Sequence, residues 1–444
     1  MGTGRRAAVE ALIRIEKDGA YSNIVVGAVS KQFSLDSRES AFASALVYGV
    51  TERRITLEFI LERYSKIKIN KLDTAVKYII FTALYQLLYM DKVPDSAAVN
   101  EAVKLCTLMK FGSASGYVNG VLRSFLRDNK EIKYPDSGDF LKYNSVKYSC
   151  PVWLIRKWRG QYGEKQCLQI LESSLGNPPV YARVNTLKTD AEGLIKTLNN
   201  EGVSAVKYKY LENCLILSDT GDIEKLQSFK DGLFHIQDAA SQLCCMMAGA
   251  KPGDTALDVC AAPGGKSFTT AQYMCNAGKL YSHDLFEHKL KLVDDGANRL
   301  GISVLEVSLR DAAGFDGNEN ESADLVLCDV PCSGFGIIRR KPEIKYKAKE
   351  SISELTKIQS EILSASARLV KPGGKLMFST CTLDRDENGT VKRFLEAHPE
   401  FAPVPLELPQ NIEHQIREEN YELTLFPGVY GTDGFYFALI TRLK

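Results

Sequence analysis

The chain has 444 residues, of which 45% are hydrophobic and 25% are charged, and its formal net charge is +1. This composition predicts a globular protein of two or three domains with ample core. The longest apolar stretch of the N-terminal part, residues 78–90, is too short to cross a bilayer, and the first 20 residues lack the apolar core of a signal peptide. We therefore expect a cytoplasmic protein with no membrane attachment, whose eleven cysteines are reduced thiols.

Residues 1–130 are predicted to form an all-α bundle of five to seven short helices. Apolar residues between positions 76 and 88 recur at the i, i+3, i+4 and i+7 spacing of one helix face, and no strand pattern interrupts the segment. The segment carries 19 Lys and Arg against 13 Asp and Glu. This excess indicates either an anionic partner, such as nucleic acid, or an ordinary solvated helical surface. Residues 131–150 are polar and weakly periodic, which is typical of a linker.

The remainder of the chain is predicted to be α/β, with a small α+β subdomain in residues 151–235 and a Rossmann-like domain in residues 236–444. In the subdomain, a helical pattern in "PVWLIRKWRGQYG" precedes short strands that include "VYARV" and "CLILS". In the larger domain, helical patterns separate most of the apolar strands "TALDVC", "KLYSHDL", "SVLEVSL", "ADLVLCDV" and "KLMFSTC", and "GFYFALITRL" is a final strand. This alternation predicts a parallel, doubly wound sheet, which binds ligands at the carboxyl ends of its strands.

The loop after the first of these strands, "LDVCAAPGGKSF" at residues 257–268, combines glycines with the start of a helix, as a site for a nucleotide-like ligand does. A phosphate-binding loop would need a glycine where this chain has Cys260, and the G-x-G-x-x-G spacing of a dinucleotide fold is absent. The third candidate ligand is S-adenosylmethionine, whose adenosine needs an acid for the ribose hydroxyls but no phosphate cradle.

One acidic residue ends each of the next three strands. Asp284 lies 20 residues after the loop glycine Gly264, where doubly wound folds place a ribose-binding acid. Asp311 ends the third strand and is a candidate contact of the adenine edge, and Asp329 ends the fourth. Each acid alone would be interpreted as a helix cap or a turn residue. The series on successive strands favours S-adenosylmethionine over the other two ligands.

Five motifs resemble, in the same order, the motif series of the RNA 5-methylcytosine methyltransferases: "YARVNTLKT", "DVCAAPGGKS", "RDAAGF", "CDVPCSGFGIIRRKPEIK" and "VKPGGKLMFSTCTLDRDEN". The N-terminal sequences "RRAAVEAL", "LVYGVTERR" and "YVNGVLRSFLRD" resemble the NusB-like RNA-binding module. The combination is similar to the bacterial RsmB (Sun) family. The resemblance implies transfer of a methyl group from S-adenosylmethionine to carbon 5 of a cytosine in small-subunit (16S) ribosomal RNA. The chain departs from the family pattern at Ser267, Arg310 and Val330, and the second of these lies in the motif of Asp311.

Two cysteines, Cys332 and Cys381, follow the fourth and fifth predicted strands and should open onto one crevice. Carbon 5 of cytosine is too weak a nucleophile to take a methyl group unless a thiolate first adds to carbon 6. Spacing does not decide which cysteine attacks, and DNA cytosine methyltransferases use the Pro-Cys cysteine, which here is Cys332. The resemblance to the RNA family implies instead that Cys381 attacks and that Cys332 is the elimination base or its helper.

The remaining expected site residues fall into three groups. The resemblance implies that Lys266 and Asp329 contact the target base as catalytic residues. The expected cofactor contacts are Cys260, Ala261, Ala262, Pro263, Gly264, Gly265, Lys266, Asp284, Asp311 and Asp329. The expected RNA contacts are Arg183, Asn185, Arg339, Arg340, Lys341 and Lys345.

The sequence also bears on metal binding, on partners and on other possible functions. No C-x-x-C pair occurs, so no metal is expected, and we expect a monomer that binds ribosomal RNA. Two other functions stay open: a non-catalytic RNA-binding assembly factor with the same fold, and a P-loop ATPase built on the Gly-Lys-Ser sequence at 265–267.

Overall fold

The computed structural model describes residues 3–314, 322–349, 351–410, 412 and 419–443. The chain divides into two units. The first comprises residues Met1–Gly176 together with Ile338–Lys347, and the second comprises Asn177–Ile337 together with Ala348–Lys444.

The first unit is helical. Seven of its helices lie within the described part of residues 1–130, which confirms the predicted all-α bundle. They are α1 (Thr3–Asp18), α2 (Ser22–Gln32), α3 (Ser37–Glu52), α4 (Arg54–Tyr64), α5 (Thr74–Tyr89), α6 (Asp95–Leu108) and α7 (Ser115–Arg127). The segment predicted as a linker contains a further helix, α8 (Phe140–Tyr148), and α9 (Val152–Ser173) follows with an interruption at Gly163.

Helix α5 forms the centre of this unit, and twelve of its sixteen residues are buried. The helix begins after Asp73, whose side chain accepts a hydrogen bond from the Ala75 backbone N–H at 2.8 Å. On α3, Gly49 allows α5 to approach closely, since a Cβ atom there would lie 2.0 Å from the Tyr85 ring. The bundle is therefore organised around one apolar helix that its neighbours surround.

Residues 338–347 are remote in sequence but pack within the same helical unit. They form a short 3-10 helix, Pro342–Tyr346. The Glu343 carboxylate accepts hydrogen bonds from the backbone N–H and the hydroxyl of Ser22, at 3.1 and 2.9 Å, where α2 begins. The Tyr346 hydroxyl donates to the Thr51 carbonyl in the last turn of α3 at 2.9 Å.

The second unit begins with a four-stranded antiparallel sheet, in the order β2-β3-β1-β4. Its strands are β1 (Val180–Val184), β2 (Ser204–Lys207), β3 (Cys214–Ser218) and β4 (Phe234–Ile236), and its helices are α10 (Ala191–Asn200) and the short α11 (Gln227–Lys230). One face of β1 packs its Ala182 and Val184 side chains against α10, and the opposite face places Tyr181 in the core of the larger domain. Strand β1 is therefore covered on both faces.

The larger domain is an α/β sheet whose five central strands are parallel, as the sequence predicts. They are β5 (Thr255–Asp258), β6 (Lys279–Asp284), β7 (Leu305–Leu309), β8 (Ala323–Asp329) and β9 (Val370–Thr380). The predicted final strand, β12 (Phe435–Arg442), pairs with β9 in the antiparallel sense. Two short strands that the sequence did not reveal, β10 (Phe401–Pro403) and β11 (Glu422–Leu425), pair with β12.

Helices cover this sheet and bury two apolar clusters along it. They are α12 (Ala239–Ala248), α13 (Gly265–Tyr273), α14 (Glu287–Leu300), α15 (Ser351–Ala367), α16 (Arg385–Asn388) and α17 (Thr390–Ala397). The sheet order is β10-β12-β9-β8-β5-β6-β7. Because β8 and β5 are neighbours although β6 and β7 separate them in sequence, the strand order reverses there. Crevices at such reversals are where doubly wound sheets bind ligands.

Candidate active site

The loop between β5 and α13 has a backbone that requires glycine. Its Ala262–Pro263 peptide bond is cis, and Gly264 has φ +107° in the left-handed region. A Cβ atom at Gly264 would lie 2.3 Å from the Phe268 ring, so no other residue fits without displacing that ring. Gly265 begins α13 directly afterwards. The loop therefore presents bare backbone beside a helix N-terminus at the carboxyl edge of the sheet.

A buried hydrogen-bond chain supports this loop from below. Asp258 is 1% exposed, and its Oδ2 accepts a hydrogen bond from the Ser267 hydroxyl at 2.7 Å. The Ser282 hydroxyl donates in turn to Ser267 at 2.9 Å. Burial raises the pKa of Asp258 to about 6, while the Ser267 hydroxyl opposes that rise. Ser267 differs from the residue that is usual in the RNA 5-methylcytosine methyltransferases, yet its hydroxyl is bonded to Asp258 at the end of β5. Asp258 was not among the expected site residues, although an acidic residue inside an apolar strand indicates a functional position.

The acids at the ends of β6 and β7 lie side by side. Asp284 is 8% exposed and accepts the backbone N–H of Ala262 at 3.2 Å and that of Phe286 at 3.1 Å, one on each oxygen. Asp311 is exposed and accepts the Ala313 N–H at 2.9 Å. Arg310, next to Asp311, donates its backbone N–H to the Asp284 carbonyl at 3.1 Å. Asp284 therefore contacts the glycine loop directly, and Asp311 follows the neighbouring strand at the same edge of the sheet.

This edge fits S-adenosylmethionine. A carboxylate oxygen can accept more than one hydrogen bond, so Asp284 retains capacity for ribose hydroxyls beyond its two backbone bonds. The Phe268 ring fills the side of Gly264 where a side chain would lie, which holds the loop backbone in place at this edge. Among the described residues, Asp258 Oδ1 is a buried acceptor without a hydrogen-bond partner, directly beneath the loop.

Lys266 and Asp329 form an ion pair next to this loop. Lys266 Nζ donates to Asp329 Oδ2 at 2.6 Å, and the Ser379 hydroxyl donates to Asp329 Oδ1 at 2.7 Å. Burial lowers the pKa of Lys266, but Asp329 together with the neighbouring Cys244 and Cys245 more than offsets it, so the pKa lies above its ordinary value. The ammonium also lies 5.1 Å from the centre of the Phe435 ring. The site thus fixes one positive and one negative group together, and Ser379 is a member that the sequence did not reveal.

The two candidate cysteines meet. Cys332 Sγ and Cys381 Sγ are 3.2 Å apart, and both residues are free thiols of intermediate exposure. The contact with Cys381 and burial raise the pKa of Cys332 well above its ordinary value. The two loops are also joined through their backbones, since Gly336 N donates to the Cys381 carbonyl at 2.9 Å. The expected common crevice of the two thiols is therefore present.

Two of the expected RNA contacts are buried, and the expectation is corrected for both. Arg183 is 3% exposed and donates from Nε to the Gln272 side chain on α13 at 2.9 Å. Asn185 is fully buried, and its Nδ2 donates to the carbonyls of Gly232 and Leu300, each at 2.8 Å. These side chains join the small sheet to the large domain. They are not placed to contact an RNA phosphate.

Lys345 is also buried, with 1% exposure within the helical unit, so the expectation that it contacts RNA is corrected as well. Its ammonium donates to the Glu52 carbonyl at 2.6 Å, at the C-terminal end of α3, where the helix dipole favours a cation. Burial lowers the pKa of Lys345 to about 8. Arg339, Arg340 and Lys341 of the same segment are of intermediate exposure.

The buried ammonium of Lys345 predicts a pH-dependent stability. The folded pKa of about 8 lies below the unfolded value, so the unfolded chain binds more protons between about pH 8 and 10.4. Stability therefore rises with pH in that window, by at most about 1.4 kcal/mol per pH unit. We expect wild type to gain stability over Lys345→Met between pH 7.5 and 9.5 in thermal unfolding followed by helix content. Lys341→Met is the matched control, and an equal pH response of wild type and Lys345→Met would contradict the prediction.

The described part of the chain contains no helix long and apolar enough to span a membrane. Over the same residues, no group of three or more His, Cys, Asp or Glu side chains is arranged to hold a metal ion.

Three family descriptions match successive parts of the chain. The NusB family matches residues 3–127, the ferredoxin-like domain of RsmF/B-like methyltransferases matches 150–224, and the 16S rRNA methyltransferase RsmB/F family matches 245–441. Among solved structures, PH0851 covers 100% of this chain with 99% of its own, at 26% identity and a TM-score of 0.83. A methyltransferase homolog protein from Pyrococcus horikoshii covers 68% of this chain with 98% of its own, at 27% identity and a TM-score of 0.59.

Curated relatives match over the full length. The chain is 37% identical over 445 residues to the probable ribosomal RNA small subunit methyltransferase B of Bacillus subtilis, covering 99% of this chain and 98% of that protein. It is 31% identical over 448 residues to the probable protein of the same description from Synechocystis, covering 100% of both chains. The thiol pair, the strand-end acids and these full-length similarities agree, and the chain belongs to the RsmB/F family of 16S rRNA methyltransferases.

Proposed function

We propose that this protein transfers the methyl group of S-adenosylmethionine to carbon 5 of a cytosine in 16S ribosomal RNA, through a covalent adduct between Cys381 and carbon 6. The observation that carries the proposal is the pair of free thiols 3.2 Å apart, Cys332 and Cys381, following β8 and β9. The Lys266–Asp329 ion pair joins the first turn of α13 to the last residue of β8. Methyl transfer to a nitrogen or a ribose hydroxyl needs no thiol.

The cofactor would be held by the loop of Cys260, Ala261, Ala262, Pro263, Gly264 and Gly265, with Asp284 at the ribose and Asp311 toward the adenine. When bound, S-adenosylmethionine supplies an electrophilic methyl group on a sulfonium. The exposed position of Asp311 supports a weaker contact than that of Asp284, which is buried against the loop backbone.

The thiol chemistry follows from the reactivity of the base. Bond formation between the Cys381 sulfur and carbon 6 gives the ring the electron density of an enamine, which makes carbon 5 a nucleophile. After methylation, carbon 5 carries both a proton and a methyl group. Removal of that proton returns its bonding electrons to the ring, restores the C5–C6 double bond and expels the Cys381 thiolate. Once Cys381 is bonded to carbon 6, Cys332 can lose its own proton to solvent, and its thiolate is then placed, by its contact with Cys381, to accept the carbon 5 proton or to assist the group that does.

The assignment of roles to the two thiols is supported by their surroundings. The pKa of Cys332 is raised by its contact with Cys381 and by burial, which disfavours a thiolate at Cys332 before the attack. The same increase makes its conjugate base stronger, as a proton acceptor in the release step requires. The choice of Cys381 as nucleophile over the DNA-type assignment of Cys332 rests on the family to which the chain belongs, and the disfavoured charge at Cys332 agrees with it.

The ion pair would hold the target base. The Asp329 carboxylate, fixed by Lys266 on one oxygen and Ser379 on the other, can accept hydrogen bonds from the amino edge of cytosine. Lys266 would donate toward the O2 carbonyl oxygen of cytosine or stabilise charge that develops during addition. The base must be unpaired or flipped to reach these groups. The basic helical unit, with Arg339, Arg340 and Lys341, is the candidate surface for the RNA backbone, and the reaction would take place in the cytoplasm.

The test is methylation mapping. Bisulfite sequencing of ribosomal RNA from a strain that lacks this protein is expected to show one 16S cytosine unmethylated, and wild-type protein is expected to restore the mark. Purified protein should melt at a higher temperature with S-adenosylhomocysteine and at an unchanged temperature with ATP. Unchanged methylation together with no response to S-adenosylhomocysteine would favour a non-catalytic assembly factor, and stabilisation by ATP would favour the P-loop alternative.

A further inference from the structure

The "DRDEN" sequence after Cys381 has no part in the proposed steps, yet it contains a buried carboxyl group. Glu387 on α16 is fully buried. Its Oε2 accepts the backbone N–H of Ser333 at 2.9 Å, and its Oε1 accepts the hydroxyl of Thr382 at 3.3 Å. These two residues directly follow the two thiol residues in sequence. One carboxyl group is therefore bonded to the residue after each thiol.

Further hydrogen bonds close this arrangement into a network. The hydroxyls of Ser333 and Thr382 are 2.6 Å apart. The Gln359 side-chain amide donates to Glu387 Oε2 at 2.8 Å and to the Pro331 carbonyl at 3.0 Å, just before the first thiol. Three neutral donors thus converge on one carboxyl group, as a buried carboxylate requires. The spacing of the thiols depends on this network, because both loops are bonded to it.

The charge of Glu387 also acts on the thiols. The groups that raise the pKa of Cys332 are the Cys381 thiol first, then burial, and then the carboxylates of Glu387 and Asp329. Asp329 is offset by the ammonium of Lys266 at 2.6 Å. The bonds that Glu387 accepts come from neutral donors. Burial raises the pKa of Glu387, and its hydrogen bonds from Ser333 and Gln359 oppose that rise. The charge of the ionised carboxylate, which these neutral donors do not offset, disfavours a second negative charge at Cys332.

We propose that Glu387 is a positioning residue that decides which of the two thiols loses its proton, holding Cys332 as a thiol so that Cys381 is the one that ionises. Two thiols in contact can carry one negative charge between them at neutral pH, and the network fixes their separation while the carboxylate breaks their equivalence. This inference rests on the proposed function, in which Cys381 attacks.

The test compares thiol reactivity without RNA or cofactor. Native protein is labelled with iodoacetamide at pH 6 to 9, and mass spectrometry follows the Cys332 and Cys381 peptides separately. In wild type, Cys381 is expected to react faster than Cys332. In Glu387→Gln, which removes the charge and keeps the shape, Cys332 labelling at pH 7 is expected to rise about tenfold, the effect of a pKa decrease of about one unit. Glu387→Asp should retain the wild-type order, because it retains the charge.

The control is Asp386→Asn, which removes an exposed carboxylate from the same short helix and should leave both labelling rates unchanged. Unchanged Cys332 labelling in a folded Glu387→Gln protein would overturn the proposal. If that variant does not fold, the wild type decides, because Cys332 reacting as fast as Cys381 would also overturn it. These rates need no substrate, so a failure of the proposed cytosine chemistry would appear separately, as an absence of methyl transfer by wild type.

Discussion

The Cys381→Ala variant is expected to lose methyl transfer, by more than about 10³-fold or about 4 kcal/mol of activation free energy, because no adduct at carbon 6 can form. Cys332→Ala is expected to behave differently. Its Cys381 can still attack, but the neighbour that assists release is gone, so a protein–RNA adduct should accumulate and survive denaturing gels. Transfer of labelled methyl groups to 16S RNA and gel mobility of the protein measure the two effects together.

Cys275→Ala is the matched control for these variants, because it removes an exposed thiol that lies just beyond the C-terminal end of α13. It should neither slow methyl transfer nor form an adduct. Exchange of the two phenotypes would mean that Cys332 attacks, as in the DNA-type scheme. Loss of activity in both variants with no adduct in either would mean that Cys332 has a role before the attack and is not confined to release.

The positions of the strand-end residues were predictable from sequence because β-strand patterns fix where strands end. The acid at the end of β8 and the thiols that follow β8 and β9 could be placed at one edge once the strands were recognised as parallel. Their pairwise contacts were not predictable. The Lys266–Asp329 bond and the thiol contact depend on loop conformations that place side chains within 3.2 Å across 63 and 49 residues of sequence.

The errors over RNA contacts have a different cause. In "YARVN", Tyr181, Arg183 and Asn185 alternate with apolar residues, which is typical of a strand with one solvated face. That face instead packs on the large domain, where Tyr181 joins its core and Arg183 bonds to α13. Lys345 lies in a basic run that resembles a solvated turn, but its partner, the carbonyl at the end of α3, is 293 residues away. Local sequence does not contain either partner.

Removing one member of the Lys266–Asp329 pair is expected to damage stability and activity together. In Asp329→Asn, the Lys266 ammonium, whose side chain is 11% exposed, loses its counter-charge, which costs several kcal/mol when a buried ion pair is broken from one side. The double variant Lys266→Met with Asp329→Asn removes both charges. It should therefore melt at a higher temperature than Asp329→Asn alone, although it carries one more substitution.

In activity, unlike in stability, the double variant should gain nothing over the single variants. Each single variant is expected to lower the single-turnover rate of methyl transfer at least about 10²-fold, and the double variant should be little worse than either, because both residues act on the same base. The exposed pair Lys291 and Asp295, 2.9 Å apart on α14, provides the control cycle. Its coupling should be about 0.5 kcal/mol or less, with no change in rate. Additive losses of activity in the first cycle would mean that Lys266 and Asp329 act on the base independently, and that their ion pair is not the unit that holds it.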